Sequence, residues 1–299
     1  MILIRLNGGL GNQLFQYAMG RRASIKANLP LYLDTEKYDT CTLRKYSLAP
    51  FNIAAQIATK EDKQRLHIYR KKDPIALLHA LLDKIRPLHK RRIIREPNFR
   101  FQPQLLQLRT PAYLDGDWQT PKYFQDITES LRYDLTLKNP LDPQNQEFTQ
   151  TIQNTPDSIS LHIRRGDLAN DPHTHQTHGT LSLDYYQHAL QQLLPHLNTP
   201  HIYLFSDDPT WAKANLKTPD IPLTPIDHNP PQLDYADLYL MSLCQHHIIA
   251  NSTFSWWAAW LSPNPNKKIH YPQTWFRAQH HNTTDLFPDS WTPIPGKGS

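Results

Sequence analysis

Cysteine is nearly absent from this 299-residue chain: only Cys41 and Cys244 occur, far apart and without a CxxC spacing. That excludes a disulfide framework and a cysteine-built zinc site, and it fits a reducing cytoplasm. No run of about 18 uncharged apolar residues is present, so no membrane-spanning helix is expected. The opening Met1-Ile2-Leu3-Ile4-Arg5 is too short for the apolar stretch of a signal peptide, so the chain is expected to start inside its own fold. In a protein that stays out of the secretory pathway, the glycosylation-like Asn251-Ser252-Thr253 carries no meaning as an acceptor. The 26 prolines are scattered through loops, with no PxxP array and no internal repeat. Glycine is scarce as well, nine in all, yet three fall together at Gly8, Gly9 and Gly11.

The net charge of +5 is unevenly placed. Residues 60 to 109 hold 14 Lys and Arg against 5 Asp and Glu, leaving 18 against 22 elsewhere. Such a region suits an anionic membrane surface, a lipid-linked glycan, nucleic acid or an acidic substrate, and equally a solvated helical face. Within it, Ile75, Leu78, Leu81, Leu82 and Ile85 recur at helical spacing ahead of the basic stretch Arg86 to Arg95. That pattern fits membrane contact or a core helix.

The length allows two cores of ordinary domain size. Residues 2–6 read as a buried strand, 13–27 as a helix and 31–34 as a second strand. A short strand at 112–114 and a helix over 122–134 follow. The Lys138-Asn139-Pro140-Leu141-Asp142-Pro143 stretch then breaks regular structure and marks the domain boundary. Beyond it the alternation resumes: strands at 158–164, 201–206, 247–250 and 269–271, and helices at 183–194, 233–244 and 254–261. Alternation in both halves predicts two α/β domains with largely parallel sheets, residues 1–140 and 155–299.

In such sheets ligands gather beyond the C-terminal ends of the strands. Four stretches lie there. The loop Asn7-Gly8-Gly9-Leu10-Gly11-Asn12-Gln13 permits close backbone approach before a helix, but it lacks both GxGxxG spacing and a P-loop GK[ST]. In Ser158-Ile159-Ser160-Leu161-His162-Ile163-Arg164-Arg165-Gly166-Asp167, period two sets Ile159, Leu161 and Ile163 on one face and His162 with Arg164 on the other. Arg164 then needs an anion, either a phosphate or Asp167. The strand Ile202 to Ser206 ends in Asp207 and Asp208; a carboxylate there can read a guanine edge or ribose hydroxyls, and Ser206 or Asp208 can cap the helix that follows. In Asn251-Ser252-Thr253-Phe254-Ser255, small polar groups meet a helix N-terminus and form an uncharged anion site, with the tryptophans behind it serving as core.

Together, "GGLGNQLFQYA", "HIRRGD", "FSDD" and "NSTFSWWAAWL", with "DGDWQTPKYF" as a fifth, resemble the GDP-fucose-dependent fucosyltransferases, most closely the α1,2-fucosyltransferase family. The resemblance spans residues 8 to 261. It implies a GT-B architecture, two Rossmann-like α/β domains facing a central cleft. GDP-fucose would sit mainly on the C-terminal domain, and a terminal β-galactoside would enter on the N-terminal side. Transfer to its 2-hydroxyl would go with inversion and without an obligatory metal or other cofactor. By motif, Arg164 is implied as the β-phosphate ligand, His162 as a ribose or diphosphate contact, and Asp207, beside Ser206, as the guanine reader. The Asn251–Ser255 loop is implied at the phosphate end. Asn12 would face the reacting centre, with Gly9 and Gly11 completing the donor cleft. The acceptor hydroxyl must lose a proton, for which Asp167, His173, His175 and His178 stand in reach of the motif.

Two departures from the family pattern stand out. Leu168 replaces a frequent aromatic, ahead of a histidine-rich loop at 173–178 that reads as polar loop or metal cluster. The DxD of Asp115 and Asp117 reads as a structural turn or as the manganese site of a GT-A transferase. The competing functions are a fucosyltransferase of α1,6 or O-linked specificity, and a non-enzymatic module binding polyanions or membranes through residues 60–109. No nucleic-acid partner is expected for the enzyme.

Overall fold

The computed structural model describes residues 1–66, 74–166, 176, 179–278 and 282–296. Contacts divide the chain into two units, Met1–Lys138 with Asn282–Phe287, and Asn139–His281 with Pro288–Ser299. A short piece of the C-terminal segment therefore belongs to the first unit. Asp285 explains this, since it accepts from the Phe101 N–H at 2.9 Å and from Lys122 Nζ at 2.5 Å.

The first unit is built on β1 (Ile2–Arg5), β2 (Leu31–Asp34), β3 (Gln56–Ile57), β4 (Ile93–Arg95) and β5 (Ala112–Asp115). All pairings are parallel, in the order β3-β2-β1-β5-β4. Ile2, Leu3 and Ile4 are completely buried, as expected of a central parallel strand covered on both faces. Helix α1 (Leu10–Ala27) follows β1 and ends at Asn28, whose left-handed φ of 53° closes the C-terminus. Helices α2 (Lys60–Arg65) and α3 (Pro74–Ile85) precede β4. The helix expected over 122–134 is instead two short 3₁₀ turns, Pro121–Tyr123 and Gln125–Ile127, leading into α4 (Thr128–Asp134). Phe124, at φ −137°, interrupts the α conformation between them.

The second unit opens with α5 (Pro143–Gln153), which begins directly after the irregular stretch expected at 138–143 and was not itself expected from the sequence. Asp142 caps it by accepting from the Asn145 N–H at 3.1 Å. Then come β6 (Asp157–Ile163), α6 (Leu183–Leu193), β7 (Pro200–Ser206), α7 (Pro209–Asn215), β8 (Leu223–Ile226), α8 (Asp234–Leu243), β9 (His246–Ile248), α9 (Thr253–Leu261), β10 (Ile269–Pro272) and β11 (Thr292–Ile294). The sheet is again parallel throughout, in the order β11-β10-β9-β6-β7-β8. Ile159, Leu161 and Ile163 pack on one side against Tyr185, Ala189 and Leu193 of α6. Ser158, Ser160 and His162 on the other side are buried as well. The period-two split therefore separates two covered faces, not an inner and an outer one.

Each strand order contains a reversal. In the first unit the chain winds outward through β2 and β3, then returns on the far side of β1 as β4 and β5. In the second it winds through β7 and β8, then returns beside β6 as β9. Ligand crevices in open α/β sheets form at such reversals, beyond the strands' C-terminal ends. They lie between β1 and β5, and between β6 and β9.

Candidate active site

On the second unit, β6 delivers Arg164 to the sheet's C-terminal edge and β7 delivers Asp207 beside it, Ile163 being in register with Ser206. Arg164 Nη1 lies 3.0 Å from Asp207 Oδ2, with the two side chains 24 % and 23 % exposed. Asp207 Oδ1 accepts from the Arg165 backbone N–H at 2.8 Å. A Cβ on Gly166 would come within 2.7 Å of Asp207 Oδ2, so glycine there lets the carboxylate sit against the backbone. Asp207 is thus one partner of Arg164; Asp167 lies outside the described residues, as do His173, His175 and His178. Both oxygens of Asp207 are engaged in this corner, and any reading of a guanine edge shares the carboxylate with it. Arg165 turns away to lie 4.1 Å from the Trp211 ring centroid and 3.8 Å from Asp208. Asp208 caps α7 through the Trp211 N–H, and Ser206 Oγ accepts from the Asp208 N–H.

His162 is buried one residue inside the strand, its ring centroid 5.7 Å from that of Phe254. This contact joins β6 to the start of α9 across the β6/β9 reversal. Burial, reinforced by the neighbouring Arg164 charge, lowers its pKa to about 3, so the imidazole is neutral at working pH. Its Nδ1 has no hydrogen-bond partner among the described residues. Beyond β9, Asn251 Nδ2 donates to the carbonyls of Gly179 and Trp275 at 3.2 and 3.4 Å. Ser252 caps α9 by accepting from the Phe254 N–H, and Ser255 Oγ donates back to the Ser252 carbonyl. Thr253 is the first helical residue, and no acid occupies the first turn, leaving the positive helix end uncompensated by side-chain charge. Trp256 and Trp257 are fully buried and pack on Trp260 and Trp291, as core.

On the first unit the glycine loop ends β1. Gly8 has φ +75°, and a Cβ there would come within 2.4 Å of Asn12 Nδ2. Gly9 precedes α1 with the Arg44 side chain beside it, and Gly11 is buried within the first turn. Two buried glutamines hold this loop. Gln13 Nε2 donates to the carbonyls of Gly8 and Lys45, its Oε1 accepts from the Ser47 N–H, and Gln16 Oε1 accepts from the Asn7 N–H. Across the β1/β5 reversal, Gln119 donates to Asn12 Oδ1 at 3.4 Å, and Arg5 pairs with Asp115 at 3.2 Å.

Asp115 also meets Arg95 at 3.7 Å, so two guanidiniums occupy the first acid of the DxD. The turn after it is clamped by Glu96, whose Oε2 accepts from the N–H groups of Asp117 and Trp118 at 2.7 and 3.0 Å. Desolvation raises the Glu96 pKa to about 7, against the opposing pull of those two bonds. Gln16, Arg44 and Glu96 escape sequence reading, as does the clamping role of Gln13, which the sequence offers only as the last residue of the loop. The glutamines look like polar helix positions until the loop folds over them, and Glu96 joins its turn from twenty residues away. Only the "GNQ" and "FQ" letters beside the glycines offered a signal.

The family model for glycosyl transferase family 11 matches residues 1–295. The chain belongs to glycosyl transferase family 11. Among its relatives, the O-antigen biosynthesis glycosyltransferase WbnK of Escherichia coli is 31 % identical, over 96 % of this chain and 98 % of that protein. An alpha-1,2-colitosyltransferase of Escherichia coli is 30 % identical over 98 % and 99 %. The human galactoside alpha-(1,2)-fucosyltransferase 1 is 23 % identical over 47 % and 40 %. In fold, the chain is similar to Arabidopsis thaliana FUT1 solved with GDP, with a TM-score of 0.54 and 14 % identity over 96 % of this chain and 72 % of that one. This family 11 glycosyltransferase therefore has the GT-B class of fold, two Rossmann-like α/β units.

Proposed function

We propose that this glycosyltransferase moves L-fucose from GDP-fucose to the 2-hydroxyl of a terminal β-galactoside, with inversion and without an obligatory metal. The observation that carries the reading is the placement of Arg164 at the C-terminal edge of β6, beside the reversal whose other side begins the Ser252-capped helix α9. As fucose departs, negative charge builds on GDP. A guanidinium pre-oriented by Asp207 and a helix N-terminus aimed at one crevice stabilise that charge without reorganising. Asn251, Ser252, Thr253, Phe254 and Ser255 form the diphosphate end, and neutral His162 offers a hydrogen bond and not a charge. Ser206 and Asp207 border the nucleoside. Gly9, Gly11 and Asn12 carry the first unit's part. Asp167, His173, His175 and His178 are the proton-acceptor candidates that follow the HIRRGD motif, and Glu96, with a pKa of about 7, is a further carboxylate suited to that task. Asp115, committed to two arginines, is not counted as a manganese ligand in this reading.

The test is purified protein with GDP-fucose and lactose or Galβ1-3GlcNAc, with and without EDTA, and linkage analysis of the product. The expected outcome is an α1,2 product at a chelator-insensitive rate. Arg164→Ala should turn over roughly a hundredfold or more slower, the scale of losing a preorganised donor. Equal turnover by that variant, or a rate abolished by EDTA, overturns the charge argument. A second donor is favoured by one observation, the likeness to an alpha-1,2-colitosyltransferase along nearly the whole of both chains. GDP-linked colitose is therefore run in parallel, and the larger kcat/KM names the donor.

A further inference from the structure

Nine large apolar side chains are exposed among the described residues, and five of them, Ile75, Leu77, Leu78, Leu81 and Ile85, lie on the twelve residues of α3. A surface helix ordinarily turns its apolar stripe toward the core. Here the orientation is reversed, and a polar residue does the anchoring. Asp83 accepts from the backbone N–H of Arg92 at 3.0 Å and of Ile93 at 3.2 Å, which turns its side of α3 toward β4. At about 100° per residue, Leu77, Leu81 and Ile85 fall roughly 120–200° away from Asp83 around the helix. Their exposures are 54 %, 60 % and 81 %.

Cations border this apolar face. Lys84 falls about 20° from Leu77 around the helix and is exposed, as is Lys90 just after it, while Arg86 lies on the other side, 3.7 Å from Asp83. A second copy of the chain is a poor occupant, because a symmetric contact would bring two segments of 14 basic and 5 acidic residues together. A nucleic acid would leave the leucines in water. We propose that α3 lies in the plane of a bilayer surface rich in anionic lipid, its leucines and Ile85 entering the acyl boundary and its lysines meeting the headgroups. The helix is too short to cross: no described helix is long and apolar enough to span a membrane. This inference stands apart from the choice of donor, acceptor and linkage.

Flotation of the full chain with phosphatidylcholine vesicles, with and without phosphatidylglycerol and with no sugar donor present, tests it. The chain should float with the anionic vesicles, less so as salt rises. A Leu77→Gln/Leu81→Gln/Ile85→Gln variant should partition at least about tenfold more weakly. Lys84→Gln and Lys90→Gln should each cost about fivefold. Circular dichroism and thermal unfolding, both matching the parent, show that the variants are folded. Failure of the parent to float, undiminished flotation of the triple variant, or a parent dimer that the triple variant turns into monomer without vesicle binding overturns the proposal.

Discussion

Arg164 and Asp207 act at the scale of two side chains, each deciding what the other can do. Asp207 takes one hydrogen bond from the Arg165 backbone and one from the Arg164 guanidinium, so it aims the cation as well as balancing its charge. Glu96 is the opposite case, a carboxyl whose burial outweighs two backbone donors. Its folded pKa of about 7 lies above its ordinary 4.5. Across that interval the unfolded chain has lost a proton that the folded chain keeps, so this group's contribution falls as pH rises through the window. Glu96→Gln keeps an acceptor for the Asp117 and Trp118 N–H groups while abolishing the titration. Urea unfolding should show the parent losing up to about 3 kcal/mol more than the variant between pH 4.5 and 8. Parallel curves would mean that Glu96 titrates normally. Activity profiles of the same pair decide its chemical role, since a limb near pH 7 that persists in the variant belongs to another group.

Among the elements, the loop from β1 into α1 is tightly constrained. Gly8 has a backbone conformation that costs other residues roughly 1–2 kcal/mol, and Asn12 fills the space a side chain would need. Gly8→Ala should therefore lower the first unit's stability by about that much and disturb Asn12. GDP affinity, held by the second unit in the proposed reading, should stay unchanged in calorimetric titration. A matching loss of GDP binding would place the diphosphate on this loop. The central elements were legible in the sequence: β1, α1, β2, β6, β7 and α9 each carry an apolar run or a helical stripe. The edge strands β3, β4, β8 and β11 were not: they are two to four residues long and, unlike the equally short β1 and β2, contain no run of three apolar residues. Helix α5 was missed because Phe148 and Ile152 are its only large apolar residues. Its start is dictated by Asp142 and Pro143.

For the whole molecule, the division into units is not a single cut in the chain. Asp285 lies almost 150 residues beyond Lys138 and still serves the first unit through Phe101 and Lys122. A fragment ending at Lys138 loses that carboxylate and the buried Leu286. By calorimetry it should unfold at a lower temperature than the first unit within the full chain, and Asp285→Asn in the full chain should reproduce part of the loss. Equal melting temperatures would show that residues 282–287 add nothing to that unit's stability.

The sequence by itself determined the α/β class, the family, and which four stretches stand at strand ends, because apolar periodicity and short motifs are local properties that survive without a fold. Tertiary structure alone decided that Arg164 pairs with Asp207, that burial leaves His162 uncharged, that Glu96 clamps the turn after Asp115, and that α3 shows its leucines to the solvent. Each of these depends on which strands neighbour one another and on what is shut away from water, and neither is written in the spacing of residues along a chain.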